Sequence, residues 1–236
     1  MTLIFVHIAM HSVFLSVYLY TEFYDQTFIM PNIPYTFGGN TKYLTHWNLV
    51  FQIFYFGLSI TIHLVMSCNK RSQFGRRLCR FRDWFLAAIA FPFASIVVFI
   101  FWTLCVIDRE LISNIPPRLQ ELIPVWLNQV IHTYVLLFLL VDMYLIKHMY
   151  PSFKSGFLGT LVVGLAYLAW VLYLGFVLDV WVYGIMKALS GAQFGLFFFV
   201  IAIFFLFFYI IGEKINNKIW SSTKYIKTAT KVKKVN

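Results

Sequence analysis

The sequence predicts an all-α, polytopic membrane protein with six transmembrane helices and both termini in the cytosol. Three observations carry that prediction. Only 12% of the 236 residues are charged while 61% are hydrophobic, about half the charged share of a soluble domain, and mean hydropathy is +0.77. Six continuous apolar runs punctuate the chain. Lys and Arg collect on alternate connections between them.

The runs cover 3–20, 44–66, 84–107, 125–146, 157–178 and 194–211. At ~1.5 Å per helical residue each is long enough to cross ~30 Å of hydrocarbon. They are continuous rather than alternating, which excludes a transmembrane β-barrel. The first has neither a basic region before it nor a small-residue cleavage site, so it reads as a retained helix rather than a removed signal peptide. The six runs make one domain, 1–211, followed by a basic tail, 212–236.

Orientation comes from the basic residues. Loop 67–83 carries Lys70, Arg71, Arg76, Arg77, Arg80 and Arg82; loop 147–156 carries Lys147 and Lys154; the tail carries seven more. Fifteen of the nineteen therefore lie on one side of a six-span chain, against Lys42, Arg109, Arg118 and Lys187 on the other. That bias assigns the basic side to the cytosol. The net charge of +10 is then a topology signal, and nucleic acid is not an expected partner. The tail KYIKTATKVKKVN has no apolar face and reads as a solvated or headgroup-skimming segment. Its terminal KKVN places lysines three and four positions from the end, the pattern of a retrieval address for the endoplasmic reticulum membrane, with the plasma membrane as the alternative.

Cys68, Cys79 and Cys105 form no CxxC pair and predict free thiols, with palmitoylation of Cys68 or Cys79 beside the basic loop as the alternative. No Walker, Rossmann, HExxH or GxSxG pattern occurs, and the sequence nominates no cofactor or metal.

Polar residues inside the apolar runs are informative because they are costly there. Thr45 begins the second run and His132 lies about seven residues into the fourth; both runs start on the same, non-cytosolic side. Asn128 precedes His132 by four residues and shares its helix face, so its amide can fix which ring nitrogen is free. Two readings stand side by side. Thr, Asn and His hydrogen-bond across helix contacts in many membrane bundles, and a Thr hydroxyl beside an oriented imidazole is the minimal equipment for attack on an ester carbonyl. Gly38 and Gly39 make a turn, or alternatively bring backbone N–H groups to a developing oxyanion.

Other candidates point to structure. His7 and His11 lack a third metal ligand. His63 and His132 fall at opposite ends of their helices, which fits one haem poorly. His46 and His148 read as interfacial. Asp142, the intramembrane carboxylate, is ten residues from His132, about 15 Å along the axis, and its proximity to Lys147 predicts an ion pair near the cytosolic interface; Glu213 and Lys214 read the same way.

Seven stretches, GGNTKYLT (38–45), FRDWFLAAIAFP (81–92), IDRE (107–110), IPVWLNQVIHT (123–133), MYPS (149–152), GLAYLAWV (164–171) and GEKINNKIW (212–220), together resemble the family of androgen-induced and androgen-dependent TFPI-regulating proteins, multi-pass hydrolases of fatty acid esters of hydroxy fatty acids. The resemblance implies that Thr45 is a nucleophile and His132 its base, with these lipid esters as substrate; Asn128 is the neighbour expected to orient the base. It departs from the family at Gln129, where a His is common, and at Gly184 of WVYG, where Pro is expected. A lipid carrier or receptor using the same helices without chemistry is the rival reading.

Overall fold

The computed structural model describes the backbone of residues 2–112 and 117–232, and the side chains of 4–112 and 119–221. Six helices are long and apolar enough to cross a membrane, and no strand occurs among the described residues. We number them α1 (Thr2–Tyr24, prolonged by tight and widened turns to Asn32), α2 (Leu44–Cys68), α3 (Gln73–Ile107), α4 (Val125–Leu145), α5 (Phe153–Leu178) and α6 (Gly191–Val232). Several outrun the apolar runs that announce them, because hydropathy marks the hydrocarbon-facing stretch whereas a helix continues until its backbone is capped.

The largest difference is α3. The stretch expected as a basic loop is helical from Gln73, started by the Ser72 hydroxyl accepting the Gly75 N–H at 3.0 Å. Arg76, Arg77 and Arg80 are exposed on its first turns, but Arg82 is buried and pairs with Asp83 at 2.8 Å. Arg82 is thus a core residue rather than a loop charge. α6 continues as helix beyond its apolar run, through the basic tail to Val232. The terminal KKVN lies outside the described residues.

α3 is the axial helix. In its most apolar stretch 72% of residues are buried, against 6% for α6, which lies on the rim. Its centre, Leu86–Ala90, widens into a π-helical turn just before Pro92. Proline has no N–H to give the carbonyl four residues back, and that carbonyl, Ala88, accepts instead from the Thr160 hydroxyl of α5 at 2.6 Å. The small residues here allow α5 to approach closely: a Cβ on Gly159 would sit 2.6 Å from the Trp84 ring and 3.0 Å from Ala88. The outer faces carry Phe5, Val13, Leu64, Val162, Phe199 and Phe207, all about half exposed or more, as a lipid-facing surface requires. One end of the bundle gathers the connecting residues 33–43, 108–112, 117–124 and 179–190; the opposite end gathers 69–72 and 146–152.

Candidate active site

Thr45 is the second residue of α2, and the chain reaches it through a tightly tied turn. Gly38 and Gly39 adopt φ values of +88° and +47°, a region open to glycine at little cost. The Gly39 N–H is committed to the Thr36 carbonyl at 3.0 Å, so this glycine belongs to the turn and is not a free oxyanion donor. Two indoles, Trp47 and Trp170, donate to the Thr41 carbonyl at 2.7 and 3.0 Å. The Tyr167 hydroxyl donates to the Lys42 carbonyl at 2.9 Å, and the Tyr183 hydroxyl, 2.7 Å from Tyr167, accepts the Leu44 N–H at 3.0 Å. The start of α2 is therefore held from α5 and from the 179–190 connection.

His132 sits in a π-helical turn of α4, Val130–Tyr134. Such a turn leaves carbonyls without their usual partners; those of His132 and Tyr134 accept from Trp102 of α3 at 3.2 Å and from Tyr18 of α1 at 3.3 Å. Phe101 lies flat on the imidazole, centroids 3.5 Å apart and planes within 10°. The Nδ1 atom is 2.9 Å from the Asn128 side-chain oxygen and 3.2 Å from the Asn128 carbonyl. Both are acceptors, so Nδ1 carries the proton and Nε2 is left with its lone pair. That Nε2 is 3.4 Å from Thr45 Oγ1. A hydroxyl from α2 and an imidazole from α4, 87 residues apart in sequence, thus face one another.

The pair lines a cavity of about 940 Å³, at the upper end of the range for small-molecule sites. On one side it runs between α5 and α6 past Leu161, Leu165, Leu168, Phe197 and Ile201; on the other it reaches a polar mouth that includes Arg109, Glu110 and Glu121.

Most of the remaining candidates are elsewhere. Asp142 does not pair with Lys147: it is fully buried at the opposite end, 2.7 Å from His11 Nε2 and 3.1 Å from His148 Nε2, and it accepts from the Tyr55 hydroxyl. The sequence distance to Lys147 is short, but the chain turns between them and the packing of α1 and α2 supplies nearer partners. His148 is likewise buried rather than interfacial, with Nδ1 2.9 Å from Asp83. His7 and His11 lie beside His63, ring centroids 5.5 and 5.3 Å away. His46, by contrast, lines the same cavity beside Thr45 and is 3.4 Å from Glu22. Glu213 and Lys214 make no ion pair among the described residues. Gln129, also on the cavity wall, accepts from Thr133 at 2.8 Å. Gly184 packs so closely that a Cβ would fall 2.1 Å from the Glu110 carbonyl oxygen, so the departure from Pro goes with a close contact between the connecting residues 108–112 and 179–190.

Fold and site together define a multi-pass α-helical membrane protein with a deep lipid-sized cavity and a Thr–His pair on its wall. More particularly, the chain belongs to the FAR-17a/AIG1-like family, whose model matches residues 6–217. It is 35% identical to the human androgen-induced gene 1 protein over 80% of this chain and 81% of that one. It is 36% identical to the androgen-dependent TFPI-regulating protein of Mesocricetus auratus, covering 84% and 83%, and 32% identical to the human one, covering 89% of each. No solved structure matches.

Spacing alone missed Phe101, Tyr167 and Tyr183. The last two lie within stretches compared with the family, GLAYLAWV and WVYG, but their partners are 125 and 139 residues away, beyond the reach of any helical periodicity.

Proposed function

We propose that this protein is an intramembrane threonine hydrolase cleaving the ester bond of fatty acid esters of hydroxy fatty acids. The observation carrying the reading is the 3.4 Å approach of Thr45 Oγ1 to a His132 Nε2 whose tautomer is set by Asn128. The family likeness supports the choice of ester, and the apolar cavity suits a two-chain lipid, each sequestered methylene favouring binding by ~0.8 kcal/mol.

In this mechanism His132 Nε2 takes the Thr45 proton as Oγ1 attacks the ester carbonyl. Negative charge grows on the carbonyl oxygen at the N-terminus of α2, where the helix dipole is positive; the Leu44, His46 and Trp47 N–H groups are already donated to the Tyr183 hydroxyl and the Tyr43 carbonyl. The tetrahedral intermediate collapses, the hydroxy fatty acid leaves with the proton from His132, and an acyl-threonine remains. Water, deprotonated by His132, attacks that ester; the fatty acid departs and Thr45 recovers its proton. No cofactor is required. The excess of basic residues at the opposite end supports a non-cytosolic position for the Thr45 end; the endoplasmic reticulum membrane is the favoured compartment on the strength of KKVN, with the plasma membrane as the alternative.

The test uses purified protein in detergent. A fluorophosphonate probe should label the wild type and not Thr45→Ala, and Thr45→Ser should keep partial turnover. An active Thr45→Ala ends the nucleophile assignment; specific binding of the lipid ester without turnover or labelling supports the carrier reading instead.

A further inference from the structure

Among the lysines and arginines of the described residues, two are buried, Arg82 and Lys42. Arg82 answers the cost of burial in the usual way, with Asp83 beside it. Lys42 does not. It is 8% exposed, its ammonium donates to the neutral Thr36 hydroxyl and lies 5.0 Å over the Tyr43 ring, and no carboxylate comes within ion-pair distance among the described residues. The acids at this end have other partners: Asp25 accepts from Asn40 at 2.5 Å, and Glu22 accepts from Gln26 at 2.9 Å and lies 3.4 Å from His46. Glu110 and Glu121 stand on the exposed rim.

Lys42, Thr36 and Tyr43 all line the cavity that holds Thr45 and His132. A buried lysine without an ion-pair partner on the wall of a mainly apolar cavity is incomplete. Burial pushes the Lys42 ammonium below its ordinary pKa, and an anion brought to it would reverse that tendency. We propose that Lys42 binds the free carboxylate of the lipid ester, with the Thr36 hydroxyl as its neighbour, so that the substrate is fixed at its acid end while its ester reaches Thr45. This rests on the hydrolase reading for the identity of the ester, and it makes Lys42 a specificity-determining residue for long-chain anions over neutral esters. The chemistry is consistent along the chain of the ligand: an ammonium for the carboxylate, a hydroxyl and imidazole for the ester, and the α5–α6 walls for the methylenes.

The experiment compares a palmitoyl ester of hydroxystearic acid with its methyl ester, in which the free carboxylate is masked. Full-length wild-type protein in detergent should favour the free acid in kcat/KM by about 10- to 100-fold, the usual scale for a hydrogen bond to a charged group. Lys42→Met should collapse that ratio towards one, and Lys42→Arg should restore part of it. Equal use of acid and methyl ester by the wild type overturns the proposal without any variant, as does a ratio unchanged in folded Lys42→Met. If the wild type turns over neither ester, the hydrolase reading has failed. Palmitate and methyl palmitate are then compared as ligands by thermal shift. Stabilisation by palmitate alone, lost in Lys42→Met, keeps Lys42 as a carboxylate site, and equal shifts remove it. The same ligand pair on Thr45→Ala separates the substrate's own carboxylate from that of the released acid: a Lys42-dependent palmitate shift without an acid preference in turnover assigns the site to product, against the proposal.

Discussion

The two ends of this bundle use the same residue types to opposite purpose. At one end Asp142 gathers His11, Tyr55 and His148, and His148 passes on to Asp83 and Arg82; Asp142, His11 and His148 are at most 1% exposed. At the other, Thr45 and His132 are only half-buried and open onto a cavity. The first arrangement neutralises charge with charge and leaves no room for a substrate. The second holds no net charge between its two members and keeps a lone pair free. A polar cluster that is sealed and paired stabilises; one that is aligned but open can react.

The sharpest way to break this contrast is to delete one group from each. Thr45→Ala and His132→Ala should each lower ester turnover by about a thousandfold or more, while the melting transition in detergent stays within about 1 kcal/mol of wild type, because both side chains border empty space. Asp142→Ala should do the reverse. It leaves His11 and His148 facing one another without their shared carboxylate, and removing one partner of a buried pair costs about 3–5 kcal/mol. Chemical denaturation should register that loss, with turnover per folded molecule retained. A stable Asp142→Ala that is catalytically dead would exchange the roles assigned to the two ends.

The second effect in size concerns Asn128. Replacing it with Leu removes the side-chain acceptor on Nδ1 and leaves only the carbonyl at 3.2 Å, so the imidazole is held less firmly in the useful tautomer. A drop in kcat of about 10- to 100-fold is expected, part of the ~10²–10⁴ a positioned base supplies, with KM little altered. Asn128→Leu at wild-type kcat would show that the π-helical turn and the Phe101 stack orient His132 unaided.

Much of this was legible in the chain. Uninterrupted apolar runs announce six helices, and four-residue spacing puts Asn128 under His132 whatever the tertiary fold. That Thr45 and His132 start on the same side follows from counting spans. Their facing one another does not: it depends on the rotation of α2 and α4 about their axes, set by packing on α3 and by the π-helical turn, and neither has a periodic signature. Asp142 shows the limit from the other side. Sequence distance favoured Lys147, whereas the partners are residues from α1, α2 and the 146–152 connection. Arg82 reads as a loop charge because a charged stretch looks solvent-facing in sequence, and burial of the Arg82–Asp83 pair depends on packing.

The smallest effect comes from His148, which lies between α4 and α5, outside the membrane-spanning segments, and tests whether the sealed end depends on charge. Burial alone would make its imidazole harder to protonate, but the Asp142 carboxylate at 3.1 Å and the hydrogen bond to Asp83 outweigh this and raise it above the ordinary 6.5. A group whose proton is held more tightly in the folded state stabilises fully below its unfolded pKa. That contribution is lost as pH climbs through the raised value. Between those limits unfolding stability should fall by at most about 1.4 kcal/mol per pH unit. Denaturation midpoints of the wild type measured from pH 6 upward should therefore decline, and His148→Gln, weaker overall, should show a flatter profile over the same range. Parallel profiles would mean that the proton on His148 does not couple to folding, and that Arg82 alone balances the two carboxylates at this end.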